Sequence, residues 1–168
     1  MAGRTAYSVM TTSYGEELKK SGKIIFTIKG VSMRPLFRTD EDAIFVVSCD
    51  PETLKNLDIV LFYRVTPSRG EQYVLHRIVG RRRDGKFIIA GDNCTDWDIV
   101  DPKDILGVVK SAQRGNKPIK LTGFRYSLYK YLWCKPYKFR SLMVFLRNKI
   151  RRIGSKVKRI CKKIIHKG

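Results

Sequence analysis

Short apolar runs, each bounded by polar turn residues, recur along the first two thirds of the chain. The runs are rich in Ile, Val, Phe and Tyr and show little of the three- and four-residue periodicity of a helix. β-branched and aromatic runs of this length, separated by turn residues, are typical of strands. The pattern predicts six strands, at residues 24–28, 43–47, 59–63, 72–79, 87–90 and 105–109. Together they predict a mainly β domain with a compact antiparallel sheet.

The residues between these runs support the same fold class. Asp84-Gly85, between the fourth and fifth runs, favours the tight turn of a β-hairpin. Before the first run, residues 14–21 have the composition of a short helix, which Gly22 would end. The sequence therefore predicts one short helix followed by strands joined by polar turns.

Beyond residue 124 the pattern changes to that of a helix. Aromatic residues recur at steps of three and four, namely Tyr126, Tyr129, Trp133 and Tyr137. Pro136 marks a break. Aliphatic residues then follow at similar steps, which places them on one face of a long helix: Leu142, Leu146, Ile150, Ile153, Val157, Ile160 and Ile164. The chain thus divides into an N-terminal segment (1–22), a β domain (23–112) and a helical tail (124–168).

Charge distinguishes the β domain from the tail. The chain carries a formal net charge of +20, but residues 1–104 hold 16 Lys or Arg against 15 Asp or Glu, a net charge of +1. Residues 105–168 hold 19 Lys or Arg and no acidic residue. Nearly all the excess positive charge therefore lies in or next to the tail, where it makes the predicted helix basic and amphipathic.

The cysteines indicate the cellular compartment and argue against a metal. Their spacing includes no C-x-x-C pair and no neighbouring histidine, so no zinc site and no other cofactor is expected. Scattered cysteines without a secretory signal are typical of reduced thiols in a cytosol-facing protein. Residues 1–20 contain charges and no apolar run, and no later window reaches the roughly 20 apolar residues of a membrane span. We therefore expect a cytoplasmic protein without an anchor helix.

Three polar segments carry the parts of an activated serine nucleophile. Ser32 lies in Gly-Val-Ser-Met-Arg-Pro, His76 lies in Val-Leu-His-Arg-Ile-Val, and acidic residues occur in Gly-Asp-Asn-Cys-Thr-Asp-Trp-Asp at 91–98. A serine nucleophile needs a neighbouring base, and the base needs a group that orients it. The one other histidine, His166, lies in the basic tail. His76 is therefore the candidate base.

Taken one at a time, these residues also fit structural roles. The proline after Ser32 pre-sets a turn, and serine is common in turns. His76 lies among alternating apolar residues, where an imidazole often only fills a packed position. The acidic residues of segment 91–98 suit a turn as well. The order and combination of the three segments, rather than any single residue, indicate catalysis.

The series Gly-x-Ser-Met-x-Pro, Asp-Ile-Val, His-Arg-Ile-Val, Gly-Asp-Asn with a following Asp, and Ile-x-Gly-Val-Val resembles the signal peptidase I-like serine peptidases. The similarity covers residues 22–110 and is to the branch with a histidine base, in particular to small bacterial members without an anchor. It implies the antiparallel β fold that signal peptidases share with the phage-repressor peptidases. The repressors use a lysine base and a DNA-binding domain, and His76 occupies the position of that lysine.

The resemblance implies a role for each polar residue. Ser32 would attack the scissile carbonyl, and His76 would take its proton and later protonate the leaving amine. Asp98, or alternatively Asp96, would orient the imidazole. A backbone N–H at or just after Ser32 would stabilise the oxyanion. The remaining residues would shape the turns of the site or lie next to the base: Met33, Pro35, Arg77, Gly91, Asp92 and Asn93.

Three functions of the tail stay open. A cationic helix with aromatic residues at its start and an aliphatic stripe is suited to an anionic membrane surface, here through residues 126–166. Its charge would also neutralise nucleic-acid phosphates, but phosphate binding does not require aligned aliphatic residues, which disfavours nucleic acid. The third function is packing of the stripe on the β domain or on a protein partner. We favour the membrane surface, which would make the protein peripheral on the membrane.

The sequence therefore predicts a serine peptidase that cleaves a leader or precursor peptide through an acyl-enzyme. The alternative is a non-catalytic module on the same fold that binds a membrane or a partner. The two differ in one property, because Ser32→Ala and His76→Ala would abolish turnover only in an enzyme.

Overall fold

The described strands form one antiparallel sheet. The computed structural model describes residues 14–68 and 70–165, and side chains as far as residue 155. Within those residues the sheet has eight strands: β1 (Lys23–Thr27), β2 (Asp42–Ser48), β3 (Ile59–Thr66), β4 (Gly70–Arg81), β5 (Phe87–Ala90), β6 (Asp98–Val100), β7 (Ile105–Arg114) and β8 (Lys117–Pro118). The mainly antiparallel β fold class, with a helical C-terminal region, is confirmed.

All six predicted strands are present, and most are longer than the apolar runs that predicted them. The hairpin predicted at Asp84-Gly85 joins β4 to β5, and Gly85 has a φ of 83°. The sequence does not predict the other two strands. β6 has three residues and β8 has two, one of them Pro118, so neither is long enough for an alternating pattern.

The strand order brings the two halves of the β domain together. Neighbouring strands run in the order β1, β2, β7, β3, β4, β5 and β6, and β8 pairs with β7. The late strand β7 therefore lies between two early strands and joins them. Gly107 of β7 is required at the contact with β2, because a Cβ there would lie 2.4 Å from the Val47 carbonyl oxygen.

Buried side chains form two apolar clusters. The larger cluster holds Met33 and Phe37 from the loop between β1 and β2, packed with residues such as Ile44, Val46, Leu61 and Leu75. The smaller cluster holds Val60, Phe62, Ile78, Phe87, Ile89, Val100 and Ile105. Burial of a large apolar side chain contributes about 1.5–3 kcal/mol. Met33 and Phe37 therefore anchor the loop that carries Ser32.

The predicted N-terminal helix is confirmed as α1, which the structure describes at residues 14–21. The Gly22 amide donates to the Leu18 carbonyl oxygen at 2.9 Å, and Gly22 has a φ of 70°, the left-handed conformation that commonly ends a helix. The Leu18 side chain is buried in the larger cluster, so α1 packs on the sheet. Residues 1–13 of the predicted N-terminal segment lie outside the described residues.

The tail begins with two short helical pieces and continues as one long helix. These are α2, a π-helical turn and α3, which cover Phe124–Tyr129, Lys130–Cys134 and Tyr137–Ile165. The Lys135 amide donates to the Lys130 carbonyl oxygen at 2.8 Å, which is the five-residue spacing of a π turn. Pro136 separates the π turn from α3, as predicted.

The start of α3 packs on the β domain through a face that the aliphatic stripe does not occupy. Arg140 and Val144 are buried, whereas the described stripe residues are between 43% and 69% exposed: Leu142, Leu146, Ile150 and Ile153. Packing of this part of the stripe on the β domain is therefore ruled out. Val157, Ile160 and Ile164 lie outside the residues whose side chains are described. Among the described helices, none is both long enough and apolar enough to cross a bilayer.

Candidate active site

Ser32 lies in the loop 28–41 between β1 and β2, next to two buried anchors. Met33 and Phe37 are each 1% exposed, and the Phe37 amide donates to the Met33 carbonyl oxygen at 3.0 Å. Ser32 is half-buried and Pro35 is exposed. The turn predicted around Ser32 is therefore held to the core by the residue that follows the serine.

His76 lies in β4, opposite Val60 of β3. The residue is 7% exposed, and its ring centroid lies 6.2 Å from that of Phe62. The imidazole is thus set in a rigid part of the sheet, with an apolar neighbour and a small opening to solvent. A base on a strand is positioned more accurately than a base on a loop.

Gly91 brings the serine loop and the base together. A Cβ built on Gly91 would lie 2.8 Å from the Ser32 carbonyl oxygen, 2.9 Å from His76 Nε2 and 2.6 Å from Cys94 Sγ. Real side chains do not make such short contacts, so this position requires glycine. The backbone of Ser32 and the Nε2 atom of His76 therefore border the same residue.

Asn93 fastens the loop 91–97, between β5 and β6, to the serine loop. Its backbone amide donates to the Ser32 carbonyl oxygen at 2.7 Å. Its side-chain Nδ2 donates to the Val31 carbonyl oxygen at 3.0 Å. Two hydrogen bonds from one residue to consecutive carbonyl groups fix the position of one loop relative to the other.

Asp98, the first residue of β6, lies at the other nitrogen of the imidazole. Its Oδ2 is 3.7 Å from His76 Nδ1, and its Oδ1 accepts a hydrogen bond of 2.5 Å from Arg64. The distance of 3.7 Å is longer than a hydrogen bond, and bonds of this kind commonly shorten when substrate binds. Burial raises the pKa of the Asp98 carboxyl, but His76 and Arg64 lower it by more, so the pKa lies below its usual value.

Asp96, the alternative carboxylate, lies elsewhere. It is exposed and accepts a hydrogen bond from Thr95 Oγ1 at 2.6 Å. The sequence leaves the choice between the two acids open because they are only two residues apart. Pairing of β6 with β5 places Asp98 opposite Ile89 in the sheet, and Asp98 Oδ2 lies 3.7 Å from His76 Nδ1.

Asp92 forms a buried ion pair with Arg77. Arg77 Nε donates to Asp92 Oδ1 at 2.9 Å and Arg77 Nη2 donates to Asp92 Oδ2 at 2.7 Å, and both side chains are 0% exposed. Burial lowers the pKa of Arg77, but Asp92 raises it by more, so the guanidinium stays charged. This bidentate pair ties β4 to the loop 91–97, one residue from Gly91.

The tail contributes further bonds to Asp92, which the sequence does not predict. Tyr129 Oη donates to Asp92 Oδ2 at 2.8 Å, and Trp133 Nε1 donates to the Asp92 carbonyl oxygen at 3.0 Å. Arg140 Nη1 lies 3.5 Å from Asp92 Oδ1. Burial and the Asp92 charge raise the pKa of Tyr129, which keeps its hydroxyl proton available as a donor.

The aromatic residues at the start of the tail form polar contacts with the β domain and its loop. Tyr129 and Trp133 direct their polar atoms at Asp92, and Tyr126 Oη accepts a bond of 3.2 Å from Arg77. A sequence signal for this did exist, because buried Tyr and Trp side chains usually find a hydrogen-bond partner. The sequence did not indicate which partner.

The three candidate residues follow one another in space. The Ser32 backbone and His76 Nε2 both border Gly91, and Asp98 Oδ2 lies 3.7 Å from His76 Nδ1. Ser32 lies in the loop 28–41, His76 in β4 and Asp98 in β6. In the part of the chain that the structure describes, no three His, Cys, Asp or Glu side chains group as metal ligands. Comparisons with protein-family models, with curated proteins and with solved structures found no match to this chain.

Proposed function

We propose that the chain is a serine endopeptidase of the signal peptidase-like superfamily. The observation that carries this proposal is the convergence at Gly91, because the Ser32 carbonyl oxygen and His76 Nε2 both lie within 3 Å of the place of a Cβ on that residue. A base beside the nucleophile, with a carboxylate at its second nitrogen, is the arrangement that activates serine. The segments that meet here also carry the signal peptidase-like motifs.

In the proposed reaction, Ser32 Oγ attacks the scissile carbonyl carbon while His76 Nε2 accepts the hydroxyl proton. Asp98 orients the imidazole through Nδ1 and stabilises the imidazolium that forms. A backbone N–H at or just after Ser32 donates to the oxyanion. His76 then protonates the leaving amine, and water, activated by His76, hydrolyses the acyl-enzyme. No cofactor takes part in these steps.

The substrate class follows from the resemblance alone, since a fold does not fix a substrate. We propose a leader or precursor peptide, cleaved once in an extended segment. The half-buried Ser32 is compatible with access by an extended chain, whereas a fully buried hydroxyl would require an opening motion.

A cleavage assay on a complex peptide mixture, with mass spectrometry of the new termini, tests the proposal. We expect cleavage by the wild type and none by Ser32→Ala or His76→Gln. Ser111→Ala is the matched control, because Ser111 is an exposed serine on β7 and its loss should leave cleavage unchanged. Cleavage that persists in Ser32→Ala would contradict the assignment of the nucleophile.

We further propose that the exposed face of α3 lies on an anionic membrane surface, which makes a cytoplasmic protein peripheral on the membrane. Its apolar residues are Phe139, Leu142, Met143, Leu146, Ile150 and Ile153, all exposed. At 100° per residue, the basic residues of the same turns fall outside this face: Arg147, Lys149, Arg151 and Arg152. Apolar and cationic faces of this kind match the apolar interior and the charged headgroups of an anionic bilayer.

Co-sedimentation with phosphatidylglycerol vesicles and with phosphatidylcholine vesicles tests the membrane proposal. We expect the wild type to bind the anionic vesicles and the double variant Leu146→Asp/Ile150→Asp to bind them at least about tenfold more weakly. Val65→Asp is the control, because Val65 is as exposed as Ile150 but lies on β3. Equal binding by the double variant and the control would contradict the proposal.

The exposed stripe also favours the alternative function, a non-catalytic membrane-binding module. The two functions separate in the same pair of assays. Vesicle binding together with Ser32-dependent cleavage supports the peptidase. Vesicle binding without cleavage by the wild type supports the module.

A further inference from the structure

We infer that the start of α3 maintains the geometry of the proposed serine site, and that Arg140 and Arg147 are positioning residues for Ser32 and His76. The inference rests on the proposed function and adds to it a second element, from a different part of the chain. The residues that hold the loop 91–97 from the tail side do not touch the reacting atoms. They act through Asp92 and Asn93.

On its inner side, the loop 91–97 contacts the serine segment and the His76 imidazole. Gly91 packs closely against the Ser32 carbonyl oxygen and His76 Nε2. Asn93 donates to the carbonyl oxygens of Val31 and Ser32. Any displacement of these residues therefore changes the position of the nucleophile relative to the base.

On its outer side, the same loop is held by residues of the tail. Arg147 Nη2 donates to Asn93 Oδ1, which orients the amide whose Nδ2 bonds to Val31. Arg140 lies against Asp92, and Trp133 donates to the Asp92 backbone. Asp92 and Asn93 are thus bonded to the tail on one side of the loop. On the other side, Gly91 and Asn93 contact the serine segment and the base.

Burial of the Arg140 side chain lowers the stability of the fold. Its side chain is 0% exposed, and its Nε and Nη2 atoms have no hydrogen-bond partner among the described residues. Arg77 alone already neutralises Asp92, so Arg140 adds a second buried positive charge against one negative charge. Unpaired buried donors destabilise a fold. A residue that is costly to stability and lies within ion-pair distance of the site loop is expected where function requires it.

The expected consequence is kinetic rather than structural. A misplacement of about 1 Å in an active site can lower a rate by roughly a hundredfold. Loss of either arginine should release the loop on one side and widen the range of Ser32–His76 distances. The fold itself retains the sheet, both apolar clusters and the Arg77–Asp92 pair.

Acylation by a fluorophosphonate probe, measured in the absence of vesicles, provides the first test. We expect Arg147→Met to lower the maximal acylation rate by about tenfold or more, with the probe's binding constant unchanged. Arg147→Lys should restore part of the rate, because an ammonium group can also donate to Asn93 Oδ1. Lys117→Met removes the same charge from an exposed residue of β8, outside the tail, and should leave the rate unchanged.

Arg140→Met provides the second test, because it separates positioning from structural support. We expect an acylation rate at least about tenfold lower together with a melting temperature that is unchanged or higher, since the variant removes a second buried positive charge from a carboxylate that Arg77 already neutralises. A merely structural arginine would lower the melting temperature and the rate together. A melting temperature that falls while the acylation rate of the folded fraction stays at the wild-type value would overturn the inference.

Amide hydrogen exchange keeps the inference testable if the proposed function fails. The Asn93 amide is bonded to the Ser32 carbonyl oxygen, and we expect Arg147→Met to speed its exchange while Lys117→Met does not. Wild-type protein that is never acylated at Ser32 contradicts the proposed function, and exchange at Asn93 then still decides whether the tail positions the loop. Acylation at wild-type rates in Arg147→Met and Arg140→Met contradicts the inference and leaves the proposed function standing.

Discussion

Asp92 and Asp98 lie six residues apart, one in the loop 91–97 and one directly after it, and each pairs with an arginine from an earlier strand, Arg77 of β4 and Arg64 of β3 respectively. Asp92 is 0% exposed and both its oxygens accept hydrogen bonds from Arg77, with further contacts from the tail. Asp98 is partly exposed; one oxygen is bonded to Arg64 and the other lies 3.7 Å from the imidazole.

The surroundings of the two carboxylates suit different roles, one structural and one catalytic. A carboxylate whose oxygens are both occupied and buried holds elements together, but it has no free lone pair directed at a base. A carboxylate with one oxygen beside a partly accessible histidine can orient that histidine through a catalytic cycle. In the proposed mechanism, Asp92 therefore contributes stability and Asp98 orients His76.

The largest expected effect is on stability at Asp92. Asp92→Asn keeps the shape of the side chain but leaves the Arg77 and Arg140 guanidinium groups buried without a counter-charge. Removal of one partner of a buried ion pair typically costs about 3–5 kcal/mol. The free energy of unfolding, measured by urea denaturation, should fall by that amount, whereas Asp98→Asn should cost less than about 1 kcal/mol. Equal losses in the two variants would remove the distinction.

The next effect is on activity at Asp98. Asp98→Asn keeps the fold but removes the charge that orients and stabilises the imidazolium, so the rate of Ser32 acylation should fall by about a hundredfold or more. Asp96→Asn is the matched control, because Asp96 is exposed and bonded to Thr95. An equal fall in Asp96→Asn, or no fall in Asp98→Asn, would show that the orienting carboxylate is misassigned.

The smallest effect is on acid stability. Burial raises the pKa of Asp98, but His76 and Arg64 lower it by more, to below the ordinary value of 3.8. A carboxyl group with a lowered folded-state pKa stabilises the fold above its unfolded pKa, and this contribution is lost as the pH falls through the folded value. The stability gap between the wild type and Asp98→Asn should therefore be larger at about pH 6 than at about pH 3. A gap of the same size at both pH values in urea unfolding would contradict the assigned contacts.

Much of the fold was predictable because its signals are local. Six apolar runs gave six strands, and Asp84-Gly85 and Gly22 marked the β4–β5 turn and the end of α1. β6 was not predictable by this means, because a three-residue strand has no alternating pattern and forms only through its pairing with β5. The sheet order likewise depends on pairings between residues far apart in the chain.

The residue types of the candidate site were predictable from the sequence, but the contacts between its segments were not. Ser32, His76 and the acidic segment could be chosen by residue type, but the choice between Asp96 and Asp98 required the β5–β6 register. Arg140 had no distinguishing signal, because it is one of many basic residues in the tail and its burial depends on Asp92, 48 residues earlier. Helix periodicity showed two faces of α3 without showing which one packs.

The most direct test of the central claim is covalent capture of the nucleophile, read as intact mass after exposure to an acylating serine-directed probe. We predict that one probe adds to the wild type, at Ser32, that Ser32→Ala gains no mass, and that His76→Gln reacts at least about a hundredfold more slowly. Labelling of His76→Gln at the wild-type rate would contradict the proposed function, because the serine would then not depend on the imidazole proposed as its base.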